Sequence, residues 1–313
     1  MHLDLVIPTY NRSRLLRRTL ESILQARIPQ DLMVTIAVVD NNSTDNTREV
    51  IDSYQEAFQG RLRYVLETEK QGRSAALNAG IRATNGDLIG TIDDDEEIEE
   101  GWFETTREAF LDPAIHFIGG PCLPNWEVPA PAWLPQGFGG VIGHVDGGPE
   151  RAQFGAGYTG MLTGGNLVLR RTLFDQVGPY PTNLGRTNKR LLSCEDEAMF
   201  QRILAVGAVG FYEPRLIIYH YVPASRLTKS YYRRWVFWQS VSMSILEKGS
   251  QTTVPQWLGV PRWLYRQALT AGLGNLNPLR YWQDPGQWLT RELQVIRLFG
   301  RLYGSLFPTA ASA

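Results

Sequence analysis

Apolar runs alternate with helix-like patterns through the first 120 residues of the chain. Strand-like runs such as LDLVIP, MVTIAVVD and DLIGTID are separated by segments with helical spacing, such as SRLLRRTLESIL and SAALNAGIRAT. Strands that alternate with helices are typical of parallel sheets covered on both faces. We therefore predict an α/β fold with a mainly parallel central sheet, helices on both of its faces, and amphipathic helices towards the C-terminus.

Polar residues directly follow three of these strands. The polar runs are PTYNR at the end of LDLVIP, DNNSTDNT at the end of MVTIAVVD, and DDDEE at the end of DLIGTID, which is the fourth predicted strand, after LRYVLE. Because ligands of parallel sheets bind beyond the carboxyl ends of the strands, we predict a binding site at this edge.

Residues 121–160 are rich in Pro, Gly and Trp, and their pattern fits neither a helix nor a strand. The segment is too long and too aromatic for a simple connector in a compact domain. We interpret it as a binding loop or lid that meets an acceptor.

The composition is that of a globular chain with unevenly distributed charge. Its 313 residues, 43% of them hydrophobic, are enough to bury a substantial core. The net charge of -1 gives no general attraction to nucleic acid, and we expect no nucleic-acid partner. Residues 231–313 hold nine Lys or Arg against three Asp or Glu, together with six of the nine tryptophans.

Cys122 and Cys194 are too few for a disulfide framework or a zinc-finger ligand set. The beginning of the chain, MHLDLVIPTYNR, has no basic leader, and no segment reaches the roughly 18 apolar residues of a spanning helix. We expect a cytoplasmic protein, either free or peripheral on the inner face of the cell membrane.

The run TIDDDEEIEE places seven carboxylates in the eight positions from Asp93 to Glu100. Adjacent carboxylates repel one another unless a positive charge compensates them, as Mg2+ or Mn2+ does. Alternatively, acidic residues simply precede a helix. We favour a metal and ligand site for Asp93, Asp94 and Asp95, and a solvated helix entry for the four glutamates. An extended backbone would point Asp94 away from its two neighbours.

Three further positions carry charge or imidazole at predicted element boundaries. Glu195 and Asp196 open the helix of CEDEAMFQRI, where a carboxylate can act as a general base or simply favour the helix start. His220 follows a strand and can complete the coordination shell of a metal or serve a structural role. Arg73 stands at a helix start, where its guanidinium can meet an anion or a base edge.

Six pieces of the chain occur together in one order: VIPTYNR, VVDNNSTDNT, GRSAALNAGI to GDLIGTIDDD, TGGNLVLRR, CEDEAMFQRIL and YEPRLIIYHYVP. Together they resemble family 2 of the glycosyltransferases over roughly residues 1–225. The resemblance implies a GT-A fold with a Rossmann-like nucleotide-sugar-binding half at 1–120 and an acceptor-binding and catalytic-base half at 121–228. A basic, Trp-rich helical extension at 229–313 completes the predicted domains.

The resemblance also implies roles for the residues at matching positions. Asp196 matches the catalytic base. Asp95 matches a position that holds a divalent metal, Mn2+ or Mg2+, and His220 matches a histidine that reaches the metal or the diphosphate. The matches to the nucleotide-sugar pocket are Pro8, Thr9, Tyr10, Arg12, Asp40, Arg73, Asp93 and Asp94. Weaker assignments to the acceptor or to a supporting role are Glu195, Trp126, Trp133 and Arg226.

The family resemblance implies an inverting transfer of one sugar from a nucleoside-diphosphate sugar, most simply a UDP-sugar. The acceptor would be a saccharide or lipid-linked saccharide of a polysaccharide-assembly pathway, whose hydroxyl gives its proton to Asp196. Processive members carry Gln-x-x-Arg-Trp, and Tyr231 stands in place of that Gln, so we expect one sugar per encounter. The usual Gly before the Glu-Asp pair is Cys194, which we interpret as a small buried residue.

Two rival classes remain for comparison. A sugar-1-phosphate nucleotidyltransferase needs a Gly-rich basic loop after the first strand, and IPTYNRSR contains no glycine. A catalytically inactive nucleotide-sugar-binding or carbohydrate-binding protein would have lost the acidic positions, which are intact here.

The basic, Trp-rich extension at 229–313 has two interpretations as well. It either lies at a membrane interface or packs as ordinary helices.

Overall fold

The computed structural model describes residues 1–185, 193–247, 254–276 and 284–307. The chain divides into two compact units. Unit 1 comprises Met1–Asn125, Gly143–Thr182 and Glu195–Tyr221, and unit 2 comprises Trp126–Ile142, Asn183–Cys194 and Val222–Ala313. The predicted three-part division at 1–120, 121–228 and 229–313 stays a prediction. Parts of its last segment, namely 248–253, 277–283 and 308–313, lie outside the described residues.

Strands and helices alternate through the first part of the chain, as the apolar pattern predicts. The elements are β1 (His2–Thr9), α1 (Ser13–Gln25), β2 (Met33–Asp40), α2 (Thr47–Ser53), β3 (Leu62–Leu66), α3 (Arg73–Arg82), β4 (Leu88–Thr91), β5 (Glu96–Ile98) and α4 (Trp102–Ala109). They are followed by β6 (Phe117–Gly119), β7 (Cys122–Trp126), β8 (Ala152–Gln153), β9 (Leu167–Arg170), α5 (Leu173–Val177), α6 (Glu195–Ala205), β10 (Gly210–Tyr212) and β11 (Ile218–Val222).

An eight-stranded sheet forms the centre of unit 1, in the order β3-β2-β1-β4-β9-β6-β10-β8. Four neighbouring pairs are parallel, namely β1 with β2, β1 with β4, β2 with β3, and β6 with β10. Three are antiparallel, namely β4 with β9, β6 with β9, and β8 with β10. The sheet is therefore mainly parallel, and the predicted fold class is confirmed. The strand order reverses beside β1, which is where such sheets bind ligands. A smaller sheet has the order β5-β11-β7.

The central strands are buried on both faces, which explains their nearly continuous apolar runs. Leu5 and Ile7 of β1 belong to one apolar cluster, and Val6 belongs to the cluster on the opposite face. On that second face, Gly80 of α3 lies so close to Val6 and Val39 that a Cβ would overlap both side chains. Helix α3 thus packs directly on β1 and β2.

Part of the segment 121–160 forms strands. β7 joins β11 in the smaller sheet, and β8 pairs with β10 at the end of the large one. The expectation of a wholly irregular segment is wrong here, because short edge strands tolerate Pro and need no apolar alternation. The role of the segment as a binding loop or lid stays a prediction.

Unit 2 contains the helices α7 (Lys229–Glu247), α8 (Arg262–Gly274) and α9 (Pro285–Leu306), and a hairpin of β12 (Gln256–Trp257) and β13 (Val260–Pro261). Helix α9 packs closely on α7, because Gly300 and Gly304 let it approach the backbone carbonyls of Phe237 and Val241. The predicted C-terminal helices are therefore confirmed over the described residues. In that part of the chain no helix has both the length and the apolar character needed to cross a bilayer.

Candidate active site

The first three residues of the acidic run, Asp93 to Asp95, lie in a turn between β4 and β5, which we call the acidic turn. Thr9, at the end of β1, donates through Oγ1 to Oδ2 of Asp94 at 2.8 Å. Nη1 of Arg12 donates to Oδ1 of Asp94 and to Oδ2 of Asp95, both at 3.0 Å. The expectation that Asp94 points away from Asp95 is wrong, because side chains in a tight turn do not alternate as they do in a strand. Both carboxylates face Arg12.

The two carboxylates that face Arg12 are buried. Asp94 is 4% exposed and Asp95 is 6% exposed. Burial raises the pKa of Asp94 to about 6, although the charge of Arg12 opposes the shift. In turn the charge of Asp94 raises the pKa of the Arg12 guanidinium. Two carboxylates that share this guanidinium form a negative site that favours a further positive charge.

His220 lies within β11, so the prediction that it follows a strand is wrong. It lies beside Asp95, with 3.6 Å between its Nε2 and Oδ2 of the carboxylate. The backbone N–H of Tyr221 donates to the carbonyl oxygen of Asp95 at 2.8 Å, which ties β11 to the acidic turn. Gly143 lies against the imidazole: its φ is 71°, and a Cβ there would lie 2.8 Å from Nδ1 of His220. The fold thus holds one oxygen donor and one nitrogen donor close together.

These two donors fit a divalent cation of the predicted kind. Carboxylate oxygen and imidazole nitrogen both bind Mn2+, and Mg2+ prefers the oxygen. Among the described residues, no group of three or more His, Cys, Asp and Glu side chains has an arrangement that could hold a metal. A cation held by one or two protein groups and by substrate phosphates does not need a third.

Arg73, the first residue of α3, joins the acidic turn to the predicted base. Its Nε donates to Oδ1 of Asp93 at 2.6 Å, and its Nη1 donates to Oδ1 of Asp196 at 2.7 Å. Desolvation opposes the charged form of Arg73, but the charges of Asp196 and Asp93 raise its pKa well above the ordinary value. The sequence suggested a nucleotide contact for Arg73, and the structure places it between two carboxylates. Its role towards a nucleotide stays a prediction.

Two adjacent glycines make room for carboxylates that the sequence did not connect with them. A Cβ on Gly164 would overlap the carboxylate of Asp196, and a Cβ on Gly165 would overlap that of Glu96. Thr91 fixes this backbone by donating its hydroxyl to the carbonyl of Gly164 at 2.5 Å. The available signal was the Gly-Gly pair, which is separated from β9 by Asn166 alone and marks a close approach of backbone to other groups.

Glu96 is unlike the solvated helix entry that its sequence context suggested. It lies in β5, is 4% exposed, and accepts the backbone N–H of Asp93 through Oε2 at 2.6 Å. Burial, followed by the charges of Asp93 and Asp95, raises its pKa well above the ordinary value. The expectation is wrong for Glu96, because the chain turns into β5 before α4 begins at Trp102. It holds for Glu100, which is exposed.

The loops after β1 and β2 are ordered by polar side chains at the same sheet edge. Asp40, the last residue of β2, accepts the backbone N–H of Ser43 at 2.8 Å and the hydroxyl of Tyr64 at 3.0 Å. Asn11 has a φ of 52° and accepts the backbone N–H of Thr44 at 2.7 Å. The two loops are thereby linked. Of the other residues predicted for the nucleotide pocket, Pro8 is buried within β1 and Tyr10 is exposed.

The weaker assignments fall in different places. Glu195 is buried at the first position of α6, next to Asp196. In unit 2, Trp133 packs edge to face on Tyr232 with ring centroids 5.5 Å apart, and Trp126 packs on the same apolar cluster. Arg226 is buried in a short 3-10 helix after β11. Their roles towards an acceptor stay predictions.

Cys194 has a φ of 76°, in the left-handed region that favours glycine. It is half-buried, so the expectation of a buried residue is wrong. The conformation accounts for the Gly that is usual before the Glu-Asp pair.

We expect Cys194→Gly to raise the free energy of unfolding by roughly 0.5–1 kcal/mol, because relief of the strain exceeds the extra chain entropy. Urea unfolding measures this, with Cys194→Ala as the control that keeps a Cβ. A Gly variant less stable than the Ala variant would contradict the assignment.

The sheet order and the acidic turn fit a GT-A fold, and two solved structures have the same fold. A mannosyltransferase from Pyrobaculum calidifontis, solved with GDP-Man and Mn2+, has a TM-score of 0.61 at 16% identity, covering 96% of this chain and 87% of the other. TarS 1–349 from S. aureus, solved with UDP, has a TM-score of 0.54 at 15% identity, covering 96% and 92%. At these identities the likeness shows the fold.

Residues 4–178 match the family described as "Glycosyl transferase family 2". The chain belongs to this family and is a glycosyltransferase. It is similar to a glucosyl-dolichyl phosphate glucuronosyltransferase from Haloferax volcanii, with 27% identity over 256 residues that cover 79% of this chain and 78% of the relative. It also resembles a GalNAc(5)-diNAcBac-PP-undecaprenol beta-1,3-glucosyltransferase from Campylobacter jejuni, with 31% identity over 122 residues, which are 39% of this chain and 38% of that protein.

Proposed function

We propose that the chain transfers one sugar from a nucleoside-diphosphate sugar to a hydroxyl of a saccharide or lipid-linked saccharide, with inversion at the anomeric carbon. The observation that carries the proposal is the pair of hydrogen bonds by which Arg73 joins Asp93 to Asp196. It brings the acidic turn and Asp196, which is 123 positions from Arg73 along the chain, to one edge of the sheet. A donor at the turn would then present its sugar to an acceptor beside Asp196.

Asp196 acts as the general base in this proposal. The acceptor hydroxyl loses its proton as its oxygen attacks, and the carboxylate accepts that proton. Arg73 holds Oδ1 of Asp196, which fixes the orientation of the carboxylate. Direct displacement with one base leads to inversion, because the base lies opposite the leaving group.

The nucleotide of the donor occupies the loops after β1 and β2. Asp40 faces the base of the nucleotide, and Asp94 faces the ribose. Thr9 and Arg12 hold the Asp94 carboxylate in place by hydrogen bonds at 2.8 and 3.0 Å. A UDP-sugar is the first candidate, and the solved structure of TarS 1–349 in complex with UDP is consistent with this choice.

Asp95 and His220 would hold a divalent cation, Mn2+ or Mg2+. When bound, such an ion neutralises the diphosphate that leaves with the nucleoside. The side chains support this role because their donor atoms lie 3.6 Å apart and both residues are nearly buried. The Pyrobaculum mannosyltransferase was solved in complex with Mn2+, which is consistent with this proposal.

Of the two kinds of acceptor, a saccharide carried on a lipid is the first candidate. The names of the Haloferax and Campylobacter relatives contain dolichyl phosphate and diphospho-undecaprenol. Such an acceptor resides in a membrane, so we propose a peripheral location on the inner face of the cell membrane, with contact through 229–313. Tyr231 replaces the Gln of processive members, which supports the addition of a single sugar.

A donor screen tests the proposed function. The full-length protein is incubated with UDP-, GDP- and dTDP-sugars, with Mn2+, Mg2+ or EDTA, and the release of nucleoside diphosphate is measured. We expect one donor to be consumed only when the metal is present, and an extracted lipid-linked acceptor to gain the mass of one sugar.

Three other results would contradict the proposal. Pyrophosphate release from a sugar 1-phosphate and a nucleoside triphosphate would indicate a nucleotidyltransferase. Donor binding without turnover on any acceptor would indicate a binding protein. A long product ladder would indicate a processive enzyme.

A further inference from the structure

Helix α8 carries large apolar residues on its exposed side as well as on its buried side. Its buried side packs on α9 and consists of Leu264, Ala268 and Ala271. Its exposed side carries Trp263 (53% exposed), Leu269 (64%) and Leu273 (59%), with Leu276 (75%) just beyond the helix end. A surface helix usually covers one apolar stripe and presents polar residues to water. Exposed apolar residues at this density mark an interaction surface.

The β12–β13 hairpin continues this surface over the first turns of α8. The hydroxyl of Tyr265 donates to the carbonyl of Trp257 at 2.9 Å, and the two rings pack with centroids 5.1 Å apart. Trp257 is nevertheless 60% exposed, and Leu258 at the hairpin tip is 52% exposed. Tyr265 precedes Leu269 by one helical turn, so the hairpin and the exposed leucines lie on the same side of α8. We call Trp257, Leu258, Trp263, Leu269, Leu273 and Leu276 the apolar face.

The charge around the apolar face is positive. Arg262 and Arg266 are exposed, and they precede Leu269 by seven and three positions, which places them on the same side of α8. Within the described parts of the chain, neither guanidinium pairs with a carboxylate. The sequence from Lys248 to Gln283 holds four basic residues and no acidic one. The partner of this surface therefore combines an apolar interior with negative charge.

We propose that the apolar face docks on an anionic lipid surface. Leu269 and Leu273 enter the boundary between headgroups and acyl chains, Trp257 and Trp263 lie at headgroup level, and the two arginines contact lipid phosphates. A second copy of the chain is the poorer partner, because a two-fold contact through this face brings the arginines of both copies into one interface, and the segment 248–283 has no carboxylate to pair with them. This docking assigns residues to the peripheral membrane contact of the proposed function. It rests on the proposed function only for the lipid-linked acceptor.

Vesicle flotation of the full-length protein tests the docking. We expect the wild-type protein to float with vesicles of phosphatidylglycerol and phosphatidylcholine, and less with phosphatidylcholine alone. The double variant Leu269→Gln/Leu273→Gln should bind the anionic vesicles at least about tenfold more weakly, because it removes the inserted side chains. The double variant Arg262→Gln/Arg266→Gln should bind roughly tenfold more weakly and lose most of its salt dependence.

The matched control is Met33→Gln/Leu111→Gln in unit 1, whose side chains are equally exposed, at 59% and 58%. It should bind vesicles as the wild type does, and thermal unfolding shows that all variants are folded. Wild-type protein that does not float, or leucine variants that float equally well, would overturn the proposal. Sedimentation that shows a wild-type dimer dissociated by the leucine changes would assign the face to a second copy. Donor consumption in solution is measured alongside, because it should survive the leucine changes even if docking fails.

Discussion

Replacement of Asp196 by Asn is expected to lower the rate of sugar transfer roughly a thousandfold while donor binding is retained. The Asn side chain has the same shape, and its amide oxygen can still accept the hydrogen bond that Nη1 of Arg73 now donates at 2.7 Å. It cannot take up a proton, so the acceptor hydroxyl would have to attack without a base. The rate of nucleoside diphosphate release in the presence of acceptor, and the calorimetric affinity for the nucleotide, separate these two effects.

Glu197 provides the matched control for Asp196. It lies in the same first turn of α6, and its Oε1 accepts a hydrogen bond from Nε2 of Gln201 at 3.1 Å. Arg73 contacts Asp196, whereas Glu197 contacts Gln201 on the same helix. The variant Glu197→Gln should therefore transfer sugar at nearly the wild-type rate. An Asp196→Asn enzyme that keeps most of its activity would show that another group accepts the proton. Equal losses in both variants would indicate that negative charge at the helix start matters rather than one base.

The large sheet was predictable because its central strands are covered on both sides. Burial on both faces favours apolar side chains at most positions of β1, β2 and β4, and the sequence shows these runs directly. The strands β7 and β8 were missed for the opposite reason. They lie at sheet edges, where Pro124 and polar residues are tolerated, so their sequences resemble those of the loops around them.

The chemistry of the acidic turn was partly predictable, and its geometry was not. Three consecutive aspartates indicate a site for positive charge, but the sequence does not show which cation meets which carboxylate. Arg73 reaches Asp93 across 20 positions and Asp196 across 123, and such pairs leave no mark in local spacing. Glu96 looked like its neighbouring glutamates because its burial depends on Gly165 in a distant segment. Only the fold distinguishes Glu96 from Glu100.

Replacement of Asp95 by Ala is expected to abolish metal-dependent turnover, with a loss of at least about a hundredfold. The change removes the oxygen that lies 3.6 Å from Nε2 of His220 and leaves Arg12 with Asp94 as its remaining partner in the turn. Imidazole alone is a poor site for Mn2+ or Mg2+, which prefer oxygen ligands. The rate as a function of Mn2+ concentration, and Mn2+ binding in the presence of UDP, measure the loss directly.

Glu100→Ala is the control from the same acidic run. Glu100 is exposed and pairs with the exposed Arg27 at 2.7 Å, and such surface ion pairs contribute little to stability. This variant should keep the wild-type dependence on Mn2+, whereas Asp95→Ala should lose it. If the two variants lose activity equally, the run acts through its total charge and Asp95 is not a metal ligand. If Asp95→Ala keeps its Mn2+ affinity and its rate, the ion binds elsewhere, because these donor atoms are then not required.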